Sequence, residues 1–142
     1  MTTVTLVTGG FDPLHSGHIA YFKAAKEFGN ILCVGVNSDD WLTRKKGKPF
    51  MNIDERLSII KELKCVDLAI EFRDKDDSAC DAIEMALEVY DNVVFCNGGD
   101  RGSMNTPEYN RYNDDKRVGF KFGVGGEDKK NSSSWILERW NK

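Results

Sequence analysis

An apolar run, a glycine turn and an amphipathic helix follow one another near the start of this chain, and this order constrains the fold most. Val4 to Val7 predict a first strand that ends in a turn at Gly9 and Gly10. Segment 19–29 then repeats apolar residues at helical spacing and ends on a glycine. A turn that leads into a helix N-terminus offers backbone N–H groups and the positive end of the helix dipole to an anion. We therefore predict a phosphate-binding corner here.

Strand and helix patterns alternate along the rest of the chain. Strands are predicted at 4–7, 31–36, 66–72, 92–96 and 118–124, and helices at 19–29, 53–64, 79–90 and 132–140, with a short helix after Pro107 and a polar connection over 37–49. Asn52 with Glu55, and Ser78 with Asp81, predict two of the helix starts. The alternation predicts an α/β fold that is Rossmann-like and doubly wound, with a five-stranded parallel sheet and helices on both faces. We expect a single domain over residues 1–142.

Four polar segments follow a predicted strand or open a predicted helix: 9–18, 37–48, 97–101 and 129–134. Ligands of doubly wound sheets bind beyond the carboxyl ends of the strands, where the strand order reverses. We therefore expect these four segments to share one rim of the sheet.

Composition excludes several other classes. The net charge of −3 argues against a dedicated nucleic-acid binder. No apolar run approaches the ~20 residues of a membrane span, so no membrane association is expected. Residues 1–4 lack a basic region and a long apolar core, which predicts no signal peptide and a cytoplasmic location. The four cysteines are widely spaced without a C-x-x-C pair, which favours buried reduced thiols over disulfides or zinc.

His15 and His18 are the two histidines of the chain. They lie three residues apart at the predicted helix start, on nearly the same face. Taken alone, the pair is compatible with phosphate binding, with zinc ligation or with helix capping, although no third zinc ligand stands nearby. The glycine turn likewise could be only a turn, since it matches neither G-x-G-x-x-G nor Gly-Lys-Ser/Thr.

The joint pattern of Gly-Gly-Phe-Asp-Pro, His-x-Gly-His and an amphipathic helix resembles the H-x-G-H motif of the nucleotidyltransferase superfamily. It is similar to cytidylyltransferases such as glycerol-3-phosphate cytidylyltransferase, and to the adenylyltransferase domain that makes ADP-heptose. The resemblance implies that His15 and His18 stabilise the transferring phosphoryl group. It also implies that the surrounding turn binds the nucleotide, through Thr8, Gly9, Gly10, Phe11, Asp12 and Gly17.

The basic run 44–48 is most often a solvated loop when it stands alone. Here it resembles the Lys-Gly-x-x-Pro loop of the family, which implies that Lys46 is catalytic through neutralising phosphates and that Lys45 and Lys48 bind the acceptor. Asp39, in an Asn-Ser-Asp segment, and Arg56, in a Glu-Arg pair, resemble family elements and are expected to bind the acceptor. Arg56 could instead be an exposed helix residue paired with Glu55 or Glu62.

Two further elements resemble the family less completely. Gly99 and Asp100 match a Gly-Gly-Asp element beside the base and ribose, although a plain turn with a surface aspartate is the alternative. The family's Arg-Thr-Glu-Gly-Ile-Ser-Thr-Thr segment survives only as a hydroxyl cluster at a helix start. Ser132, Ser133 and Ser134 are therefore expected to bind the triphosphate, and Lys129 or Lys130 to replace the lost charge beside the acceptor.

These expectations describe a nucleotidyltransferase that transfers CMP from CTP to a small phosphorylated alcohol, polyol or sugar and releases pyrophosphate. Mg²⁺ is expected as a cofactor bound with the triphosphate rather than by protein side chains. One alternative is an adenylyltransferase that uses ATP and a heptose phosphate or a similar sugar phosphate. Another, from a different class, is a non-catalytic nucleotide-sensing module, which the altered segment 125–130 motivates. We also expect a homodimer.

Overall fold

The computed structural model describes residues 2–98, 106–124 and 133–140; the side chains at 98 and 133–135 are not part of the description. Strands and helices alternate along it. In chain order they are β1 (Thr3–Gly9), α1 (Ser16–Lys26), β2 (Ile31–Val36), α2 (Asp39–Lys46), α3 (Ile53–Lys61), β3 (Leu68–Glu71), α4 (Cys80–Val89), β4 (Asn92–Gly98), α5 (Pro107–Tyr112), β5 (Val118–Val124) and α6 (Ser133–Trp140).

The described strands form one parallel sheet in the order β3-β2-β1-β4-β5. The chain winds outward from β1 to β3, crosses back over β1, and continues outward on the other side through β4 and β5. The strand order therefore reverses between β1 and β4. This architecture confirms the predicted doubly wound, five-stranded α/β fold.

Each face of the sheet has its own apolar core. On one face Val4, Leu6, Val93 and Phe95 pack with Ile83 of α4, in a cluster that also includes Tyr112 of α5. On the other face Val7, Val34 and Val36 form a cluster with Phe22 of α1 and Ile60 of α3. Because helices cover both faces, β2 is buried along almost its whole length, which explains its nearly uninterrupted apolar sequence. In β1 the central residues 4–7 are buried.

Helix α2 is the main departure from the sequence prediction, which had a polar connection over these residues. Only Leu42 of this helix is buried, so apolar periodicity could not reveal it. Its charges reveal it instead, since Asp39 and Asp40 occupy the first turn and three basic residues occupy the last, in accord with the helix dipole. Ser38 caps it by accepting a hydrogen bond from the Trp41 N–H at 3.0 Å.

The other helix starts agree with the prediction to within a few residues. Asn52 caps α3 as predicted, since its side chain accepts from the Glu55 N–H. Helix α4, however, has Ala79 rather than Ser78 at its N-cap, and the buried Glu108 carboxylate accepts from the Ala79 N–H at 3.0 Å. This hydrogen bond comes from α5, far along the chain, while the hydroxyl of Ser78, the predicted local residue, accepts from the Cys80 N–H at 3.3 Å.

Cys33, Cys80 and Cys96 are buried, Cys65 is half-buried, and all four are free thiols, as predicted. None of the helices in the described part of the chain is long and apolar enough to cross a membrane.

Candidate active site

The turn between β1 and α1 is built around the ring of Phe11. Its backbone adopts a φ of +53°, a region that costs a bulky residue about 1–3 kcal/mol. Burial of the ring offsets this strain. The ring packs against Phe22 and meets the His18 ring edge-on, at a centroid distance of 4.9 Å. Gly9 makes room for it, because a Cβ added there would lie 2.9 Å from the Phe11 ring. The turn thus carries the first residues of α1 on a fixed aromatic support.

His15 and His18 cap the N-terminus of α1 with their imidazoles. His15 is the N-cap residue, and its Nδ1 accepts a hydrogen bond from the Gly17 N–H at 3.1 Å. The Nδ1 of His18 accepts from the His15 N–H at 3.2 Å. The two rings stack with centroids 3.8 Å apart and planes 26° apart. The helix start therefore holds both rings side by side.

These bonds determine the protonation state of both rings. A nitrogen that accepts from a backbone N–H carries no proton, so the proton of each neutral imidazole is on Nε2. Burial lowers the pKa of His15, and burial together with the neighbouring His15 ring lowers the pKa of His18 to about 3. At neutral pH the corner therefore offers two uncharged Nε2–H donors, fixed in orientation, beside a helix N-terminus.

Asp12 connects this corner to the end of α2. Its buried carboxylate accepts from the backbone N–H groups of Phe50 and Met51, at 2.6 and 2.7 Å. Lys46 donates to the Asp12 carbonyl at 2.7 Å and lies 3.0 Å from its carboxylate. The structure thus brings Lys46 to the turn that precedes the histidines, as the prediction requires, but with its ammonium group paired to Asp12.

Arg56 is fully buried, and its guanidinium joins three loops. It donates to the carbonyls of Met51, Gly10 and Asn37 at 2.9, 2.9 and 2.7 Å, and to the carboxylate of Asp39 at 2.6 Å. This burial corrects the alternative of an exposed helix residue. Arg56 positions the loops in this structure, and its contact with the acceptor stays a prediction.

Asp74 is a site residue that the sequence interpretation missed. It is buried in the segment after β3 and accepts from the Asn37 side chain and the Ser38 N–H on one oxygen, at 3.0 and 2.8 Å, and from the Ser38 hydroxyl on the other, at 2.7 Å. It therefore orients the cap of α2. Its place just beyond a strand end was the available signal, hidden in a run of charged residues.

The structure brings two of the four polar segments together at the carboxyl rim. The Asn37 N–H donates to the Gly9 carbonyl at 2.9 Å, and a Cβ added at Gly10 would lie 2.9 Å from Leu42. Thr8 is half-buried, and the Gly17 N–H is used by His15. Lys45 lies over the Trp41 ring at 4.6 Å, and Lys48 is exposed on the loop beyond α2. Direct contact of these residues with nucleotide or acceptor stays a prediction.

The remaining predicted residues fall outside the description. Gly99, Asp100, Lys129 and Ser132 are among the residues not described, as are the side chains of Ser133 and Ser134. Their binding roles therefore stay predictions. In residues 2–98, 106–124 and 133–140, no three His, Cys, Asp or Glu side chains lie together as a metal site.

The part of the chain that forms this site matches known proteins. Residues 6–89 match the family described as cytidylyltransferase-like. "Bifunctional protein HldE" of Pseudomonas aeruginosa strain LESB58 is 36% identical over 101 residues, and that of Sulfurimonas denitrificans is 39% identical over 84. These alignments cover 70% and 58% of this chain. They span only 20% and 17% of the two relatives' own lengths.

Two solved structures share the fold. A lipopolysaccharide core biosynthesis protein from Thermoplasma volcanium superposes with a TM-score of 0.69 and 28% identity, over 90% of this chain and 100% of that chain. A putative nicotinate-nucleotide adenylyltransferase from Vibrio parahaemolyticus has a TM-score of 0.65 at 12% identity, over 97% and 86% of the two chains, which shows the fold alone.

Proposed function

We propose a function that proceeds from one premise: the chain belongs to the cytidylyltransferase-like family of nucleotidyltransferases. The protein transfers a nucleoside monophosphate from a nucleoside triphosphate to a small phosphorylated alcohol, polyol or sugar, and releases pyrophosphate. The observation that carries this proposal is the pair of stacked imidazoles at the start of α1, each with Nδ1 bonded to backbone and Nε2–H left to donate.

The reaction needs no strong general base. A phosphomonoester has a second pKa of about 6, so the attacking oxygen of the acceptor is already ionised at neutral pH. This oxygen forms a bond to the α-phosphorus, the bond from that phosphorus to the bridging oxygen breaks, and pyrophosphate leaves. Catalysis then consists of positioning and of stabilising the charge on the transferring group.

The start of α1 with His15 and His18, which we call the histidine corner, meets this requirement with donors that are fixed before substrate arrives. The two Nε2–H groups of His15 and His18 would donate to oxygens of the transferring phosphoryl group, and the N-terminus of α1 adds its positive dipole. Because the pKa of both rings is lowered, they act as neutral donors and do not need to gain a proton first. Fixed donors lose little free energy to reorganisation during the reaction.

Lys46 would supply positive charge to the phosphates from the end of α2. It now pairs with Asp12, so binding of a triphosphate would exchange one anionic partner for another. Gly47, which ends α2 with a φ of +95°, has open space around it and permits the exposed loop to change path. Lys45 and Lys48 on the same exposed stretch would meet the acceptor phosphate.

Two nucleotides are candidates. The resemblance to cytidylyltransferases favours CTP, as the sequence predicts. The match to Bifunctional protein HldE favours the second candidate, ATP with a heptose phosphate or a similar sugar phosphate, because the sequence also resembles the domain that makes ADP-heptose. Both candidates use the same histidine corner and the same chemistry.

The test is pyrophosphate release by the purified protein with Mg²⁺, each of the four nucleoside triphosphates in turn, and a panel of phosphorylated polyols and sugars. We expect release with CTP or ATP that depends on the acceptor. Nucleotide binding without release under any combination would contradict the proposal and identify a non-catalytic nucleotide-sensing module.

Replacing His15 with Asn provides a sharp test of the corner. Asn also accepts at an N-cap position, so the helix start is kept while the Nε2–H donor is lost. We expect turnover to fall by a factor on the order of 10³, the magnitude for a lost transition-state donor. Single-turnover rates with saturating nucleotide measure this effect.

The matched control is His15→Ala, which removes both the donor and the cap. It should slow turnover as much as His15→Asn does, and should also lower the free energy of unfolding by about 1 kcal/mol. If His15→Asn retained wild-type turnover, His15 would be only a cap, and the proposed role would be wrong.

A further inference from the structure

Asn97 lies at the place where the strand order of the sheet reverses. Strands β1 and β4 pair from Thr3↔Asn92 to Leu6↔Phe95, and their register then stops although both strands continue for three more residues. The two strands thus separate towards their carboxyl ends, and Asn97 is on the part of β4 that no longer pairs with β1, although β4 still pairs with β5 there. In open α/β sheets this reversal point is where ligands bind.

The side chain of Asn97 carries an unpaired donor there. It is 4% exposed, and its Nδ2 has no hydrogen-bond partner. In the described part of the chain only one other buried side-chain atom shares this condition, the Oγ1 of Thr5. Thr5 lies deep in β1 against Gly29, whose added Cβ would be 2.6 Å from that hydroxyl, away from the carboxyl rim. A buried amide without a partner destabilises a fold, so its presence at a ligand crevice calls for an acceptor from outside.

The crevice also relates Asn97 to the histidine corner. The Tyr21 hydroxyl of α1 donates to the Cys96 carbonyl at 2.6 Å, so α1 is tied to β4 next to Asn97. Tyr21 is three residues from His18, about 4.5 Å along the helix axis. Cys96 belongs to the core on the α1 face, and strand alternation turns Asn97 towards the opposite face. A nucleotide with phosphates on α1 and its nucleoside across the crevice would reach both.

Strand pairing is irregular at the same point. The register between β4 and β5 shifts between Cys96 and Gly98, and Gly123 on the neighbouring stretch of β5 has a φ of +67°. Irregularities of this kind are concentrated next to binding sites, where they re-aim a side chain.

We propose that Asn97 is a specificity-determining residue, whose Nδ2 donates a hydrogen bond to an acceptor atom of the nucleobase. This inference rests on the proposed function for the identity of the ligand as a nucleoside triphosphate. A neutral donor suits a ring nitrogen or carbonyl oxygen of a base, whereas the anionic phosphates meet the helix N-terminus and the histidines.

The experiment compares dissociation constants, by calorimetry, of CTP, ATP and inorganic tripolyphosphate for the wild-type protein and Asn97→Leu. Leucine keeps the γ-branched outline of asparagine and cannot donate. We expect the preferred nucleotide to bind about 10- to 100-fold more weakly to the variant. Tripolyphosphate has no base, so its affinity should change by less than about twofold. The melting temperature of the ligand-free variant should be equal or higher, because an unpaired amide has been removed.

Thr5→Val is the matched control. It removes the other unpaired buried polar atom with almost no change of shape, so it should raise the melting temperature without altering nucleotide affinity. If Asn97→Leu does not fold, Asn97→Asp removes the donor within the same outline. It should weaken binding of the preferred nucleotide and change the ranking of CTP against ATP.

Wild-type affinity and ranking in the Asn97 variants would overturn the inference, and so would an equal loss of tripolyphosphate binding. The outcomes also separate the inference from the proposed function. Selective nucleotide binding without pyrophosphate release would refute the enzyme and leave the Asn97 result to stand. Pyrophosphate release with unchanged nucleotide affinity in Asn97→Leu would refute only the inference.

Discussion

At the scale of single residues, the histidine pair caps a helix with one set of atoms and leaves another set for the proposed chemistry. The Nδ1 atoms satisfy backbone N–H groups at the start of α1, and the Nε2–H groups are the donors that the proposed function uses. Capping and phosphate binding are thus compatible, although the sequence presents them as alternatives. The capping bond to Nδ1 fixes the tautomer, so it leaves the proton on Nε2, where the proposed hydrogen bond to phosphate needs it.

The lowered pKa of His18 predicts a dependence of stability on pH. Its unfolded pKa is near 6.5 and its folded pKa is about 3, so between these values the unfolded state binds the extra proton. The contribution of His18 to the free energy of unfolding is therefore fully present above pH 6.5. It is lost as the pH drops below 6.5, by up to about 1.4 kcal/mol per pH unit. Urea unfolding between pH 4.5 and 7.5 measures the slope.

His18→Gln is the control, because glutamine does not titrate. The carboxylates are the same in both proteins, so their titration cancels in the difference between the two. The difference in unfolding free energy between the two proteins should shrink as the pH falls from 6.5. Parallel curves over this range would show that His18 is not held neutral.

The buried hydrogen bonds of Arg56 predict that its substitution changes stability rather than acceptor affinity. Arg56→Met would leave three carbonyl acceptors without their donors and should lower the free energy of unfolding by about 3 kcal/mol or more. Arg56→Lys keeps a charge but lacks the planar fork, so it should fall between wild type and Met. Urea unfolding checks the order. Wild-type stability with a raised KM for the acceptor alone would instead support the acceptor-binding role.

At the scale of elements, α2 depends on neighbours rather than on its own sequence. It buries only Leu42, it is eight residues long, and isolated helices of this length are marginal in water. Asp74 fixes the cap residue Ser38, and Arg44 of the helix donates to the Asp74 carbonyl at 2.8 Å. The segment after β3 thus holds the helix that carries Lys46 to the histidine corner.

Asp74→Ala should therefore loosen α2 before the rest of the fold. We expect faster amide hydrogen exchange at residues 39–46 and a loss of about 1–3 kcal/mol of stability, since the Asn37 and Ser38 donors lose their acceptor. Asp77→Asn, in the same segment, removes the charge of an exposed ion pair with Arg44 and keeps a residue type that tolerates the φ of +59° there, so it should cost at most about 1 kcal/mol. Equal exchange in both variants would contradict this role of Asp74.

At the scale of the whole molecule, the sheet joins two cores that share their central strands. Val4 and Leu6 of β1 face one core and Val7 faces the other. The helices on both faces therefore pack against the same strands. The same winding that buries both faces places the reversal point, and with it the histidine corner and Asn97, at one rim.

Because the central strands are shared, we predict one cooperative unfolding transition. Ile60→Val on one face and Ile83→Val on the other should each lower the free energy of unfolding by about 0.5–1.5 kcal/mol and shift a single transition. Far-ultraviolet circular dichroism and tryptophan fluorescence should report coincident midpoints. Two separate midpoints would show that the faces unfold independently.

Local pattern by itself determined the order of the strands and of the helices other than α2, the parallel sheet and the histidine corner, because each depends on residues close together in the chain. The amphipathic period, the glycine turn and the two histidines are all readable within about 25 residues. What only the tertiary structure decided are the partners of buried polar groups. Arg56 is buried because three loops offer it carbonyls, Asp74 holds the cap residue of α2 from another segment, and the Nδ2 of Asn97 is left without a partner where β1 and β4 separate. Those outcomes depend on which distant segments meet, and hydrogen bonding between them leaves no period in the sequence.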